Sequence, residues 1–240
     1  MPRLFCPPPL AAGQVIALPP RAARHVQVLR LQPGEPLTLF DSTGGEWDAQ
    51  VERMGRQDVS VRLGTHHPLE REAPWPVHLA VAMPANERMD WLVEKATELG
   101  AAGFLPVQTS RSVLRLAGER ADRKRQHWAA VAEAACEQCG RNRVPGVAPV
   151  ADFRSWLAGP LPAGRRVILS TAGGARPFMP EAGPLLALSG PEGGFSPEEE
   201  QAALAAGFEP VTLGPRILRA ETAPLALLAI AGSLAPVAEA

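Results

Sequence analysis

Two segments rich in glycine and proline each follow a short apolar run near the C-terminal end of the chain. Leu185–Leu188 precedes Ser189-Gly-Pro-Glu-Gly-Gly-Phe-Ser196, and Pro210–Leu213 precedes a second segment that runs to Ala223. A helix-like stretch follows each segment. A buried strand, a break at glycine and proline, and a helix are the parts from which an α/β protein builds a ligand cleft. We therefore expect the two segments to form two halves of one site.

The alternation of strand and helix begins near residue 77. Val77–Met83, Gly103–Val107 and Arg166–Ser170 have the composition of strands, whereas Met89–Leu99 and Arg120–Gly140 have helical spacing that ends at a glycine. This order predicts a mostly parallel α/β sheet. Because chains rarely thread their own loops, periodicity alone predicts an open, Rossmann-like sheet.

The first seventy residues follow a different pattern, in which short runs alternate with turn signals. One helical segment, Arg21–Arg30, carries basic residues on its outer face, and Asp41–Gly45 has the composition of a hairpin loop. The predicted strands are Gln14–Leu18, Glu35–Phe40, Glu46–Val51 and Asp58–Leu63. Such spacing suggests a small β-barrel. A linker-like stretch at Leu69–Pro76 then divides the chain into predicted domains 1–72 and 73–240.

The net charge of −1 over 240 residues gives no overall basic field, so any nucleic-acid partner must be bound by a local patch. Such a patch exists, because residues 1–34 contain no acidic side chain. The basic residues of this segment are Arg3, Arg21, Arg24, His25 and Arg30. The N-terminus lacks the features of a signal peptide, and Ala223–Ala238 is too short for a membrane span. We expect a cytoplasmic protein with no membrane association.

The three cysteines, Cys6, Cys136 and Cys139, are an odd number that suits a reducing compartment. Cys136 and Cys139 form a CxxC pair, but no second pair or suitably spaced histidine follows, and structural zinc needs four ligands. We therefore expect the pair to pack on one helix face, and we expect no metal.

Five segments, taken in order, resemble the RsmE family of bacterial 16S ribosomal RNA uridine-N3 methyltransferases, which belong to the SPOUT class. They are His25–Arg30 with Gly34, Val93–Gly100, Ser110–Ser112, Glu133–Pro145, and the two C-terminal segments. The chain departs from the family pattern at Ala220, where a threonine is common, and in Pro84–Met89, which lacks a frequent lysine.

The resemblance implies an α/β SPOUT-type methyltransferase domain with a C-terminal trefoil knot, preceded by a small PUA-like β-barrel that binds RNA. It also implies a homodimer that methylates N3 of a uridine in 16S ribosomal RNA of the small subunit, with S-adenosylmethionine as the methyl donor. The cofactor-binding residues that it implies are Leu188, Ser189, Gly190, Pro191, Glu192, Gly193, Gly194, Leu213, Gly214, Ile217, Leu218 and Arg219.

Methylation at N3 requires that a proton be removed or that the resulting anion be stabilised. Glu192 and Glu221 are candidate bases, and Arg111 and Arg219 are candidate anion stabilisers. We expect Arg219 to act on the uracil carbonyls, with Arg111 and Glu221 as the other catalytic candidates. Glu221 has the equally strong alternative of stabilising a helix N-terminus.

The basic residues Arg3, Arg21, Arg24, His25 and Arg30 are expected to contact RNA phosphates. Arg141 and Arg143 follow a helix end, where they either contact RNA, lie near the dimer surface or form a charged turn. Trp91 and Trp128 have helical spacing that favours core or interface anchors over base-stacking platforms.

Two alternatives to uridine-N3 methylation remain open from the sequence. A SPOUT ribose 2′-O-methyltransferase would use a similar cofactor site. An RNA-binding dimer without catalysis would use the barrel alone and would not bind the cofactor.

Overall fold

A computed structural model describes residues 1–56, 58–85, 87–171 and 173–233, which fold into two compact units. The first unit combines residues 1–72 with residues 136–144, and the second contains residues 73–135 and those that follow residue 144. The first unit therefore takes in residues 136–144, which the sequence analysis places in the second domain, and the domain division at residue 72 stays a prediction.

The first unit is built on a sheet that has five strands in the described part of the chain, in the order β1-β3-β4-β5-β2. Its elements are β1 (Arg3–Phe5), β2 (Val15–Ala17), α1 (Pro20–Val28), β3 (Pro36–Phe40), β4 (Glu46–Met54) and β5 (Val59–His67). β1 pairs parallel to β3, and the other neighbours are antiparallel. The four predicted strands and the helix are confirmed, whereas β1, only three residues long, was not predicted.

The core of the first unit lies between this sheet and α1. Ala22, Ala23 and Val26 face inward from the helix and belong to the same buried cluster as Leu37, Leu39 and Val61 of the strands. The apolar residues alternate along β5, as expected for a sheet with one buried face. The Asp41–Gly45 hairpin is also confirmed, since β3 and β4 are antiparallel neighbours.

A network of ion pairs ties residues 136–144 into the first unit. Glu46 accepts hydrogen bonds from Arg3 and, at 2.9 Å, from Arg71. Arg3 also donates to the side-chain oxygen of Asn142 at 2.7 Å. Arg141 makes a bidentate contact with the Glu72 carboxylate, with its Nε 3.0 Å from one oxygen. These contacts explain why a segment distant in sequence belongs to this unit.

The second unit contains a sheet in which every strand pair among the described residues is parallel. The strands are β6 (Val77–Ala82), β7 (Ala101–Gln108), β8 (Gly146–Val147), β9 (Ala151–Asp152), β10 (Arg165–Leu169), β11 (Arg176–Pro177), β12 (Leu185–Ser189) and β13 (Glu209–Thr212). The helices are α2 (Glu87–Glu98), α3 (Gly118–Cys139), α4 (Phe153–Leu157), α5 (Pro197–Ala205) and α6 (Thr222–Gly232). The predicted parallel sheet is confirmed. The short elements β8, β9, β11 and α4 were not predicted.

The strand order β11-β13-β10-β12-β6-β7-β8 places β12 in the middle of the sheet and β13 next to the edge strand β11. β12 lies between β10 and β6, where Leu188 is level with Ile168 on one side and with Ala80 on the other. The glycine-rich segment after β12 therefore leaves the sheet at its centre. The trefoil knot stays a prediction, because strand order does not specify how the chain is threaded.

The final helix is buried along one face, whereas the sequence predicts a buried helix. Leu225, Leu227 and Leu228 of α6 are almost fully inaccessible. The predicted apolar stretch extends to Ala238, and residues 234–238 lie outside the described residues. Across the described residues, no helix combines the length and the apolar character that crossing a membrane requires.

Cys136 lies on the inner face of α3 and is buried, whereas Cys139 is partly exposed. Burial raises the pKa of the Cys136 thiol to about 12. Its sulfur donates to the Arg143 carbonyl oxygen at 3.6 Å. Within the described residues, no group of three or more side chains of the metal-binding types is brought together.

We expect Glu46→Gln to lower the free energy of unfolding by about 1–3 kcal/mol at pH 7, because Arg3 and Arg71 lose a charged acceptor. Burial opposes ionisation of Glu46, but hydrogen bonds from Arg71 and Arg3 outweigh it and lower its pKa. Ionised Glu46 therefore stabilises the folded protein fully at pH values above its unfolded-state pKa of about 4.3. This stabilisation is lost as the pH falls through the lower pKa that Glu46 has in the folded state.

Urea unfolding of both proteins between pH 7 and pH 3 measures this difference, which we expect to narrow on acidification. Glu52→Gln removes the exposed pair with Arg62 and serves as the control, with a much smaller effect. An equal loss of stability at all pH values would contradict the role given to the Glu46 carboxylate.

Candidate functional site

The carboxyl ends of the central parallel strands meet at one edge of the second sheet, and the loops there enclose a cavity of about 630 Å³. The loops that line it follow β10, β12 and β13, and single side chains from the segments after β6 and β7 complete the wall. The two C-terminal segments that the sequence singled out therefore line one cavity.

The glycine-rich loop after β12 has a backbone that other residues would not allow. Gly194 has a φ of +67°, and its N–H donates to the Pro191 carbonyl oxygen at 2.9 Å. A Cβ atom at Gly190 would lie 3.0 Å from the ring of Phe195. These constraints bring main-chain atoms, rather than side chains, to the wall of the cavity.

The helix that follows this loop begins with a complete capping box. The Ser196 hydroxyl accepts a hydrogen bond from the Glu199 N–H at 3.2 Å, and the Glu199 carboxylate accepts one from the Ser196 N–H at 2.9 Å. Glu199 is buried and also accepts from the Ser110 N–H at 2.6 Å. The loop after β7 is thus fastened to the start of α5, which gives the Ser110–Ser112 segment a structural role.

Arg111 supports the glycine-rich loop from the side. Its guanidinium donates to the carbonyl oxygens of Gly193, at 2.9 Å, and Phe195, at 3.2 Å. A Cβ atom at Gly193 would lie 3.4 Å from the Cβ atom of Arg111, so the two segments are in close contact. Arg111 lines the cavity, and these bonds position the glycine-rich loop.

The second loop follows β13 and contributes both apolar and cationic side chains. Gly214 has a φ of +110°, and its carbonyl oxygen accepts from the Thr212 hydroxyl at 3.1 Å. Ile217 is 85% exposed at the cavity wall, where it offers an apolar surface. The Arg219 side chain is exposed, while its carbonyl oxygen accepts the N–H of Thr222 at 2.9 Å and so starts α6.

Arg88, near the start of α2, connects the two loops electrostatically. Its NH1 atom lies 3.3 Å from Glu192 Oε1 in the first loop, and its Nε atom lies 3.7 Å from Glu221 Oε1 after the second. The Ala85 N–H also donates to Glu192 Oε1 at 3.4 Å. Two carboxylates from different loops therefore share one guanidinium.

Ten of the twelve predicted cofactor residues line the cavity: Ser189, Gly190, Pro191, Glu192, Gly193, Gly194, Leu213, Ile217, Leu218 and Arg219. Leu188 is buried within β12, and Gly214 shapes the second loop without being part of the lining. Of the three predicted catalytic residues, Arg111 and Arg219 line the cavity, whereas Glu221 lines a neighbouring one.

The sequence did not identify Arg88, Ser170, Thr171 and Glu200 as part of the cavity wall, whereas Arg216 lies in the second C-terminal segment that it did single out. Ser170 is the last residue of the predicted strand Arg166–Ser170 and Thr171 follows it, so the rule that ligand sites lie at the carboxyl ends of parallel strands would have found both. The Ser170 hydroxyl donates to Glu200 Oε1 at 2.9 Å. Arg88 carried no such signal, because only the tertiary structure brings it to both loops.

The comparisons with known proteins agree with this geometry. Residues 71–232 match the model of an RNA methyltransferase domain, and residues 18–64 match that of an RNA methyltransferase PUA domain. Over 210 residues the chain is 34% identical to ribosomal RNA small subunit methyltransferase E of Bacillus subtilis, covering 83% of this chain and 82% of the relative. The chain belongs to the RsmE family of RNA methyltransferases.

Solved structures give the same result. A ribosomal RNA small subunit methyltransferase E from Neisseria gonorrhoeae, solved with S-adenosylmethionine, is 36% identical, with a TM-score of 0.91 and 98% coverage of both chains. A Legionella pneumophila methyltransferase, also solved with that cofactor, is 34% identical, with a TM-score of 0.90 and 96% coverage of both chains. The predicted family and its α/β methyltransferase fold with a PUA-like domain are confirmed.

The predicted RNA-contacting residues of this RsmE family member differ in their surroundings within the first unit. Arg21, Arg24 and His25 are exposed on α1, and Arg30 is exposed just after it. Arg143 is half-exposed and pairs with Glu70 at 3.2 Å. The two others, Arg3 and Arg141, have mostly buried side chains whose guanidinium groups bind Glu46 and Glu72. The structure gives these two an internal role.

The two tryptophans that the sequence grouped together also differ. Trp128 on α3 is fully buried, and its indole N–H donates to Asp90 at 2.9 Å, as expected of a core anchor. Trp91 on α2 is 44% exposed.

We expect Arg111→Ala to increase amide hydrogen exchange in residues 190–195 about tenfold or more, because the loop loses two charge-assisted hydrogen bonds. Hydrogen–deuterium exchange measured by mass spectrometry resolves this segment. Arg115→Ala is the matched control, since Arg115 donates to the Ser110 carbonyl oxygen but not to the loop. Unchanged exchange in residues 190–195 would remove the support role from Arg111.

Proposed function

We propose that this protein transfers a methyl group from S-adenosylmethionine to N3 of a uridine in 16S ribosomal RNA of the small ribosomal subunit. One observation carries the proposal. The cavity at the carboxyl edge of the sheet is enclosed by the same two loops that mark the family, in a chain that aligns over 98% of its length with a cofactor-bound relative.

The residues present fit the cofactor. Gly190, Gly193 and Gly194 form a cradle in which added side chains would meet Phe195 or Arg111 or would require a strained backbone. Exposed main-chain groups of such a cradle can bind a heterocycle, and the exposed side chain of Ile217 offers it an apolar surface. The residues that would hold the cofactor are Ser189, Gly190, Pro191, Gly193, Gly194, Leu213, Ile217 and Leu218.

The bound cofactor supplies a sulfonium methyl group, so that the N3–CH₃ bond forms from a nitrogen electron pair as the C–S bond breaks and leaves its pair on sulfur. The protein must position N3 and manage its proton. Arg219 is exposed in the cavity wall, where its guanidinium stabilises negative charge on a uracil carbonyl oxygen. Glu192 and Glu221 are the carboxylates that can accept the proton.

The RNA backbone binds the exposed basic surface of the first unit. Arg21, Arg24, His25 and Arg30 supply the positive charge, and Arg143 is a further contact. The protein acts in the cytoplasm as a homodimer. Support for the dimer comes from α6, which carries no charged residue and leaves Ala229 exposed, since a helix that is apolar on all sides is normally covered.

Nucleoside analysis of small-subunit RNA tests this function. A strain whose own copy of the enzyme has been deleted should lack one N3-methyluridine, and expression of this chain should restore it. Mass spectrometry of digested RNA distinguishes that product from a ribose 2′-O-methyl group, which would indicate the other SPOUT activity. Absence of any methylated product, together with no heat of S-adenosylmethionine binding in calorimetry, would indicate an RNA-binding module.

Arg219→Ala should lower kcat about 10²–10³-fold, the effect typical of removing one group that stabilises an oxyanion. Arg216→Ala, in the same exposed loop, should have a much smaller effect. Methyl transfer measured at saturating cofactor separates this loss from weaker cofactor binding, which calorimetry reports. Near-normal kcat in Arg219→Ala with intact cofactor binding would contradict the assignment.

Affinity for unmethylated small subunits should fall steeply with salt concentration, because the basic surface releases counterions on binding. Each of Arg21→Ala, Arg24→Ala and Arg30→Ala should reduce the slope of log K against log salt by about 1. Arg62→Ala, which removes an arginine paired with Glu52, is the control. A slope that none of the three substitutions changes would exclude this surface from RNA binding.

A further inference from the structure

A second cavity, of about 580 Å³, adjoins the cofactor cavity, and both are lined by Arg88. Its walls come from α2, α3 and the start of α6. The lining residues are Glu87, Arg88, Asp90, Trp91, Glu94, Val131, Glu221 and Thr222. None of the sequence segments that carry the family resemblance accounts for this cavity as a whole.

Glu221 presents a buried hydrogen-bond acceptor in this cavity. Its side chain is only 9% exposed, and its Oε1 atom lies 3.7 Å from Arg88. Its Oε2 atom is inaccessible and has no hydrogen-bond donor among the described residues. Glu221 occupies the N-cap position of α6, yet its side chain makes no capping hydrogen bond. A buried acceptor without a partner is costly, so this oxygen is suited to a donor that a ligand brings.

Trp91 gives the same cavity an exposed aromatic surface. It lies three residues after Arg88 on α2, so the two side chains are neighbours on one helix face. At 44% exposure it contrasts with Trp128, which is fully buried. Exposed aromatic side chains are the usual stacking platforms for unpaired bases in RNA.

The remaining charges disfavour a phosphate group and are compatible with a neutral base. Asp90 is held by hydrogen bonds from His127 and Trp128, both at 2.9 Å. Glu94 accepts from Lys95 at 2.7 Å, and Glu87 adds a further negative charge. An acidic wall repels RNA phosphates but not a base that enters the cavity by itself.

We infer that the second cavity is the uracil subsite, an inference that rests on the proposed uridine-N3 activity. The uracil ring stacks on Trp91, the Glu221 side chain turns to present Oε2 to the N3–H of the ring, and an adjacent carbonyl oxygen accepts from Arg88. This order of donors and acceptors matches uracil. It does not match cytosine, whose N3 carries no proton and would place a lone pair against the carboxylate.

The same contacts assign the proton. Glu221 Oε2 takes the proton from N3, and the electron pair of the broken N–H bond stays on nitrogen for methyl transfer. Arg88 stabilises the charge that then spreads to the carbonyl oxygen, and the proton on Glu221 passes to water after the product leaves. Glu192 is the weaker candidate because Ala85 and Arg88 already occupy its Oε1 atom.

Substitution of Trp91 tests the stacking contact. Trp91→Ala should weaken binding of unmethylated small subunits about 5- to 150-fold, the range for losing one stacked base. Trp91→Phe should restore most of the affinity. Trp75→Ala is the matched control, since Trp75 is 41% exposed but lines a separate cavity at the opposite edge of the sheet. Calorimetry should show unchanged S-adenosylmethionine affinity in all three variants.

Two outcomes would overturn the stacking contact. One is subunit affinity in Trp91→Ala equal to that of Trp75→Ala. The other is dissociation of the dimer in Trp91→Ala, measured by analytical ultracentrifugation, which would make Trp91 an interface residue. Failure of the proposed function gives a different result, because the unsubstituted protein would then form no N3-methyluridine. The two outcomes above concern only the Trp91→Ala variant.

Glu221→Gln tests the proton acceptor while keeping the size of the side chain. We expect kcat to fall about 10²–10⁴-fold, with cofactor and subunit affinity retained. The residual rate should rise about tenfold per pH unit, because N3 must then lose its proton to solvent. The charged groups around Glu221 are Arg88, Glu192, Glu87, Asp90 and Glu94, and all remain in this variant. A wild-type kcat and pH profile would exclude Glu221 as the acceptor.

Discussion

The candidate site depends on one constraint, which is that the strands of the second sheet run parallel. Because β6, β10, β12 and β13 all run in the same direction, the loops that follow them leave the sheet at one edge. No single loop forms the cavity. An antiparallel neighbour in this group would send one loop to the opposite edge, and the glycine-rich loop and the arginine-containing loop would no longer face the same space.

Polar contacts then fix loops that the sheet only brings near one another. Glu199 joins the loop after β7 to the start of α5, Arg111 holds the glycine-rich loop, and Arg88 connects that loop to Glu221. The ion pairs of Arg88 add little net stability once the cost of desolvation is counted. Their value here is geometric, because each one relates two loops that are distant in sequence.

The sequence predicts most of this arrangement, and the exceptions have physical reasons. The strands and helices of the second unit can be predicted from the spacing of apolar residues and from the glycines that end helices. The capping box at Ser196 can be predicted from the residues at the start of the helix. The short strands β8 and β11 have too few residues to show any period. Arg3 and Arg141 look like surface cations in sequence, but only the tertiary fold brings Glu46 and Glu72 to them. The position of Arg88 between the two loops also depends on the tertiary fold and could not be predicted from the sequence.

The unequal surroundings of the two loop carboxylates follow from where Arg88 lies. Its NH1 atom approaches Glu192 to 3.3 Å, and a main-chain N–H adds a second donor to the same oxygen. On the other side, its Nε atom lies 3.7 Å from one oxygen of Glu221, whose second oxygen is buried and has no donor among the described residues. The Arg88 guanidinium thus binds the more exposed carboxylate, Glu192, closely. It leaves one oxygen of the more buried carboxylate, Glu221, without a hydrogen-bond donor among the described residues. A buried, incompletely bonded carboxylate beside an exposed tryptophan is unfavourable in an empty protein and favourable once a base with an N–H group is present.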